Sequence, residues 1–342
     1  MTATSRRLVL ASRPNGAPSS KNFELKNVDL PDLKDGELLL RTIYLSLDPY
    51  MRGRMSDAES YAAPVKVGDV MVGSTVCQVE KSKNDKFTEG EWVLAYNGWQ
   101  DYAISDGQGL TKLGKNPSNP SYALGILGMP GFTAYMGLLD IGAPKAGETV
   151  VVAAATGPVG ATVGQIAKLK GCKVVGVAGG SEKCQYVVEK LGFDACIDHK
   201  TDDFAQRLQK ACDAGIDVYF ESVGGKVFDA VLPLLNSCAR IPLCGLVSQY
   251  NANNLPDGPD RMFMLMGQLL RKRIKMQGFI IFDDYGDHYP AFSKEMQKWL
   301  KEGKISYREH IVEGIENTID AFNDMLSGKN FGKTVVKLNN PL

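Results

Sequence analysis

The rhythm of polar and apolar positions changes near Ser121. Before it, segments such as "GELLLRTIYLSLD" and "DVMVGSTVCQVEKS" alternate roughly two by two, are rich in β-branched residues and are separated by glycine or proline. That spacing predicts an all-β region with irregular loops. After Ser121, short apolar runs alternate with stretches of helical period. The runs "TVVVAA", "CKVVGVA", "DACID", "IDVYFES", "ARIPLCGLV" and "IKMQGFII" predict six strands. Between them, "GATVGQIAKLK", "SEKCQYVVEKLG", "TDDFAQRLQKACDAG", "GKVFDAVLPLLN" and "PDRMFMLMGQLLRK" predict five helices. Ser181 and Thr201 are expected as N-caps, Gly192 and Gly215 as helix stops. Six strands alternating with five helices imply an α/β fold with a doubly wound parallel sheet.

From about residue 298 the chain holds one more helical segment, "GIENTIDAFNDMLSG", and a closing strand, "KTVVKL". The β-rich N-terminal region can supply the partner that this strand needs. The expected organisation is therefore a split first domain, 1–122 with 298–342, and a second domain, 123–297, inserted before its last portion.

The first strand of the alternating region runs into "AATGPVG", residues 154 to 160, and then a helix. Strand, glycine-containing elbow and helix make the first βα turn of a dinucleotide fold, where missing Cβ atoms let a pyrophosphate approach the helix N-terminus. Ala155 stands at the first glycine position of that motif, and Gly157 and Gly160 also suit plain helix–strand packing. The order of the six strands is what favours nucleotide binding. At the end of the second strand, "GVAGGSEK" lacks the carboxylate that takes the ribose hydroxyls of NAD. Gly179, Gly180 and Ser181 leave space there, and Lys183 can meet a 2′-phosphate. That points to NADP, although Ser181, Glu182 and Lys183 also read as a cap, a first-turn acid and a solvated lysine.

The 39 basic and 39 acidic side chains cancel, so no net field recruits nucleic acid or an anionic membrane, and a phosphate must be held locally. No segment nears the ~18 apolar residues of a membrane span, and "LVLA" is far short of a signal sequence. Seven cysteines without a C-x-x-C pair fit reduced thiols in a cytoplasm. His199, His288 and His310 show no zinc spacing, and the β-rich region contains Cys77 but no histidine. A metal site is not expected.

A two-domain nicotinamide enzyme is expected to bind its substrate between its domains, beside the carboxyl ends of the strands. The fifth strand ends in "CGLVSQYN", which puts Tyr250 at that edge. A phenol with an unperturbed pKa of ~10 stays protonated and can stabilise a developing oxyanion. A tyrosine in a loop is also a common packing residue.

The segments "LSLDPYMRGRM", "GMPGFTAYMGL", "GPVGATVGQIAKLKGCKVVG", "YFESVGG", "CGLVSQYN" and "GKNFGKTVVK" occur in this order across nearly the whole chain. In them the chain resembles the zinc-free medium-chain reductases, which include prostaglandin reductases, plant 2-alkenal reductases and bacterial curcumin-type reductases. The resemblance implies a GroES-like β-rich domain, a Rossmann domain and a homodimer. It implies hydride transfer from NADPH to the β-carbon of an α,β-unsaturated aldehyde or ketone, with Tyr250 binding the carbonyl oxygen. Tyr50, in "DPYMR", would line the substrate site, or else serve as a domain-interface aromatic. For NADPH the resemblance implies Gly157, Pro158, Val159, Gly160, Ser181, Lys183, His199, Ser222, Cys244, Gly245, Leu246, Tyr250, Phe279, Ile280, Ile281 and Asn330, with Met129 at the nicotinamide end. His199 and Ser222 depart from the prostaglandin reductase pattern, which has tyrosine and asparagine at these positions. A zinc-free NADPH quinone reductase and a non-catalytic NADPH-binding protein are the competing readings.

Overall fold

In the computed structural model, which describes residues 4–254 and 258–342, the β-rich segments form β1 (Thr4–Leu10), β2 (Phe23–Asp29), β3 (Leu38–Ser46), β4 (Thr75–Ser82), β5 (Trp92–Ala95), β6 (Tyr102–Ser105) and β7 (Thr111–Gly114). The short helix α1 (Met51–Arg54) follows β3. β3 is buried along almost its whole length because it lies inside a sheet and pairs antiparallel with β4 and β6. One core of this unit gathers Leu45, Met51, Met71, Trp99 and Phe322, with Trp99 stacked on Phe23 at 5.6 Å.

The alternating region begins with α2 (Met129–Met136) and continues as β8 (Thr149–Val152), α3 (Pro158–Leu169), β9 (Lys173–Ala178), α4 (Ser181–Glu189), β10 (Ala195–Asp198), α5 (Phe204–Ala211), β11 (Ile216–Phe220), α6 (Gly225–Val231), β12 (Leu235–Leu243), α7 (Met262–Lys272) and β13 (Lys275–Gly278). Its six strands form one parallel sheet in the order β10-β9-β8-β11-β12-β13, which is doubly wound with the reversal beside β8. All four residues of β8 are buried, as a central parallel strand covered on both faces requires. The six apolar runs and five helical stretches of the sequence are all present.

Two helix starts differ from expectation. Gly180, at φ 99°, takes the N-cap of α4 and leaves Ser181 as its first helical residue. Asp203 precedes α5, while the Thr201 hydroxyl donates to the Asp198 carbonyl at 3.0 Å. Asp198 explains the first case, because its side chain already accepts the Gly180 N–H. Gly192 and Gly215, at φ 72° and 82°, occupy the left-handed region expected of helix stops.

The helices α8 (Ile281–Tyr285) and α9 (Tyr289–Lys301) follow. Phe292 of α9 packs on Phe132 of α2 at 5.1 Å, and Trp299 on Tyr135 at 6.0 Å. This aromatic seam keeps α9 with the parallel sheet. The chain divides as Met1–Gly125 with Glu309–Leu342, and Ile126–Arg308, so the return to the first unit comes after residue 308 rather than 297. There β14 (Glu309–Glu313) and β15 (Lys333–Lys337) flank α10 (Thr318–Leu326). β15 pairs parallel with β14 and antiparallel with β3, with Val336 opposite Leu45. No helix of the described residues is long and apolar enough to cross a membrane.

Candidate functional site

The carboxyl ends of six parallel strands open on one edge of their sheet, and most of the expected residues follow those ends. Gly157 to Gly160 come after β8, Ser181 and Lys183 after β9, His199 after β10, Ser222 after β11, Cys244 to Tyr250 after β12, and Phe279 to Ile281 after β13. Met129 begins α2 in the same unit, whereas Tyr50 and Asn330 belong to the first unit.

At the elbow the left-handed residue is Ala154, at φ 49°. Ala155 is buried and donates its N–H to the Val177 carbonyl at 3.0 Å. Gly157 is the N-cap of α3 and Pro158 its first residue, where a missing N–H leaves nothing unpaired. A Cβ on Gly160 would stand 2.4 Å from the Ala154 carbonyl oxygen, and one on Gly157 3.2 Å from it. Helix–strand packing therefore already demands Gly160. The first-turn amides of α3 remain without intrahelical partners, as at every helix start.

Cations gather beyond β9 and β10. Burial lowers the Lys183 pKa, Lys200 lowers it further, and Glu182 opposes both. Burial also lowers that of His199, against Asp198, with Lys226 and Lys200 adding to the depression. A Cβ on Gly179 would meet His199 Nε2 and Lys200 Cε at 3.0 Å each, so glycine leaves this cluster open. The neighbouring carboxylate, Asp198, is already engaged: its Oδ1 accepts the N–H groups of Gly180 and Lys200 at 2.9 Å each. Despite the cost of burial, those bonds hold Asp198 below the usual carboxylate range. Lys200, Lys226 and Asp198 were not singled out from the sequence. "DHK" at the end of the third strand carries the first of these signals, but which side chain turns inward depends on register.

Glu221 organises the next two loops. Its Oε1 accepts the N–H groups of Val223 and Gly224 at 2.6 and 2.9 Å, and its backbone oxygen accepts that of Cys244 at 2.9 Å. Burial raises the carboxyl pKa although these bonds oppose it. The loop so shaped binds the next one, with Ser222 and Val223 carbonyls accepting the N–H groups of Val247 and Ser248 at 3.1 Å each. Tyr250 ends that second loop. Its hydroxyl sits against Gly245, 2.9 Å from where a Cβ would be. Burial raises the phenol pKa, the Leu246 backbone opposes this, and Cys244 adds to it. Tyr250 is therefore a neutral phenol with a proton that it can donate.

In the first unit, the Tyr50 hydroxyl lies 3.1 Å from that of Tyr96. Burial, with Asp48 and Tyr96 adding, pushes its pKa far above the usual phenol range. Asn330 donates to the Gly332 carbonyl at 2.9 Å, a turn contact. Phe279 lies beside Gly137, where a Cβ would stand 2.7 Å from its ring. Among the described residues, no three of His, Cys, Asp and Glu converge to hold a metal ion.

Comparison with known proteins agrees with this arrangement. Residues 6–113 match a family described as the N-terminal domain of oxidoreductase, and residues 158–300 one described as zinc-binding dehydrogenase. The chain is 64% identical over 333 residues to the NADPH-dependent curcumin reductase of Escherichia coli, covering 97% of this chain and 96% of that protein. It is 44% identical to prostaglandin reductase 1 of Bos taurus, covering 94% and 95%. A crystal structure of CurA from Vibrio vulnificus, in complex with NADPH, is 68% identical with a TM-score of 0.96, covering 98% of this chain and 100% of that one.

Proposed function

The chain belongs to the zinc-free medium-chain dehydrogenase/reductase family, and from that premise we propose that it reduces the C=C bond of α,β-unsaturated aldehydes and ketones. It is an NADP-dependent oxidoreductase, of the kind that its curcumin reductase and prostaglandin reductase relatives represent. NADPH supplies the hydride, which goes to the β-carbon, and a proton completes the α-carbon.

This chain's residues fit that cofactor. The elbow from Gly157 to Gly160 offers first-turn amides to a pyrophosphate. The cluster of Lys183, His199 and Lys200 suits a 2′-phosphate, since Lys200 disfavours the charged forms of both Lys183 and His199 and a phosphate would relieve that. Ser181, Ser222, Cys244, Gly245, Leu246, Phe279, Ile280 and Ile281 line the rest of the edge, with Met129 at the nicotinamide end. In this reading Tyr50 contacts the substrate.

The observation that carries the reaction is Tyr250. Its phenol stays protonated at neutral pH because burial raises its pKa, and it keeps an O–H to donate. When hydride reaches the β-carbon, negative charge collects on the carbonyl oxygen, and a fixed donor stabilises that charge more than the neutral ground state.

We further infer a homodimer in the cytoplasm. β13 ends the sheet order, and α7 beside it exposes Phe263 and Leu270 at 89% and 80%, an apolar face of the kind that marks an interface.

The deciding experiment is NADPH consumption with a medium-chain 2-alkenal, with NADH in parallel and the product identified by mass and NMR. A saturated aldehyde formed faster with NADPH is expected. An allylic alcohol, no turnover, or faster turnover of a quinone than of the enal would overturn the proposal.

A further inference from the structure

Cys184 and Cys196 are twelve residues apart, yet α4 packs on β10 and each thiol is the other's strongest electrostatic partner. The fold brings them together through Gly176. Cys196 of β10 is the register partner of Gly176 in β9, so both positions point to one face of the sheet. A Cβ on Gly176 would stand 3.1 Å from Cγ1 of Val187 in α4, and Cys184 lies three residues before Val187 on the same helix face. Neither cysteine is fully buried. None of the chemistry described above uses them.

From this contact we infer that Cys184 and Cys196 are a reversible oxidation site that forms an intramolecular disulfide with hydroperoxides. Cys184 is the attacking thiol. It is the fourth residue of α4, near the positive end of the helix. Cys196 beside it lowers its pKa against the cost of burial, and that favours the reactive thiolate. Cys184 sulfur takes the distal oxygen of the hydroperoxide, the O–O bond breaks, and water or an alcohol leaves. Cys196 sulfur then attacks Cys184 sulfur, the S–O bond breaks, and a second water leaves. Two thiols have lost two electrons and two protons, which the peroxide has accepted. A dithiol reductant reverses the change.

The bond holds the two sulfurs at about 2.05 Å and so draws the first turn of α4 toward β10. Lys183 precedes Cys184, and Asp198, two residues after Cys196, holds Gly180. Oxidation is therefore expected to weaken NADPH binding severalfold while changing NADH binding little. This second effect rests on the assignment of Lys183 to the 2′-phosphate.

The test is to treat the full-length protein with excess hydrogen peroxide and follow it by intact mass, peptide mapping and thiol titration. A loss of about 2 Da, a peptide linking residues 184 and 196, recovery with dithiothreitol, and no link in Cys184→Ser or Cys196→Ser are expected. Stable sulfinic acid at Cys184, or oxidation only at other cysteines, would overturn the site. NADPH and NADH titrations of the oxidised protein separate the two claims. A formed disulfide with unchanged NADPH affinity overturns the coupling, whereas equal affinity of the reduced protein for both nucleotides overturns the Lys183 assignment.

Discussion

Lys333 Nζ lies 2.7 Å from Asp48 Oδ1, with the two side chains only 1% and 6% exposed. The ammonium also donates to the Leu47 carbonyl at 2.7 Å, and Ser46 donates to the other Asp48 oxygen. Tyr50 is two residues on, so a buried ion pair fixes the segment that carries it. Removing one partner strands a charge that water cannot reach. Lys333→Ala is expected to lower stability by about 3–5 kcal/mol, and Lys333→Met combined with Asp48→Leu by much less. Thermal unfolding of both variants checks this.

Tyr250→Phe removes only the hydroxyl. Turnover of a 2-alkenal should fall by roughly 100- to 1000-fold, the range for a lost oxyanion donor, while the NADPH dissociation constant stays near that of the parent. Turnover equal to the parent would take Tyr250 out of the reaction.

Lys183→Ala removes one cation of the cluster beyond β9. Charge-assisted hydrogen bonds contribute about 1.5–3 kcal/mol, so NADPH affinity should drop by roughly 10- to 100-fold with NADH affinity nearly unchanged. Fluorescence titration with both nucleotides reads the difference.

His199 supplies a pH dependence. Burial, aided by Lys226 and Lys200 and opposed by Asp198, holds it below the ordinary imidazole value, so near neutral pH the free protein keeps it uncharged. A phosphate beside it raises that value, and binding then takes up a proton. The preference for NADPH over NADH should therefore grow as pH falls from about 8 to about 6. The 2′-phosphate itself titrates near about 6, so the measure is the difference in slope between the parent and His199→Gln, whose profile should be flatter.

Gly164→Ala tests packing alone. The added Cβ would fall 1.8 Å from Cζ of Phe193, and α3 must move off β9 or the ring must leave its place. A loss of about 1–3 kcal/mol is expected, read as a lower unfolding midpoint.

Periodicity made the parallel sheet legible, because four-residue buried strands such as β8 are apolar throughout while α3 and α5 repeat with a helical period. Punctuation was less legible. Ser181 looks like a cap in one dimension, but Gly180 holds that place once Asp198 claims its N–H. The return to the first unit was placed too early because "GDHYPAFSKEMQKWL" carries no sign that its aromatics will meet Phe132 and Tyr135. For the site, glycines, Lys183 and Tyr250 stand out by type and position. Glu221, Asp198 and Lys200 do not, since their roles depend on which loop amides and side chains the register presents to them.

The order β14-β15-β3 also has a consequence in time. A ribosome releases β3 and Asp48 early and Lys333 only 285 positions later, after the whole parallel-sheet unit has emerged. Until then the first unit lacks both the strand beside β3 and the cation for Asp48, while residues 126–308 already hold everything their own sheet needs. Synthesis should thus complete the inserted unit before the one that precedes it, and a chain stalled before residue 333 should leave Tyr44, Leu45 and Ser46 of β3 without their β15 partners and open to aggregation or chaperones.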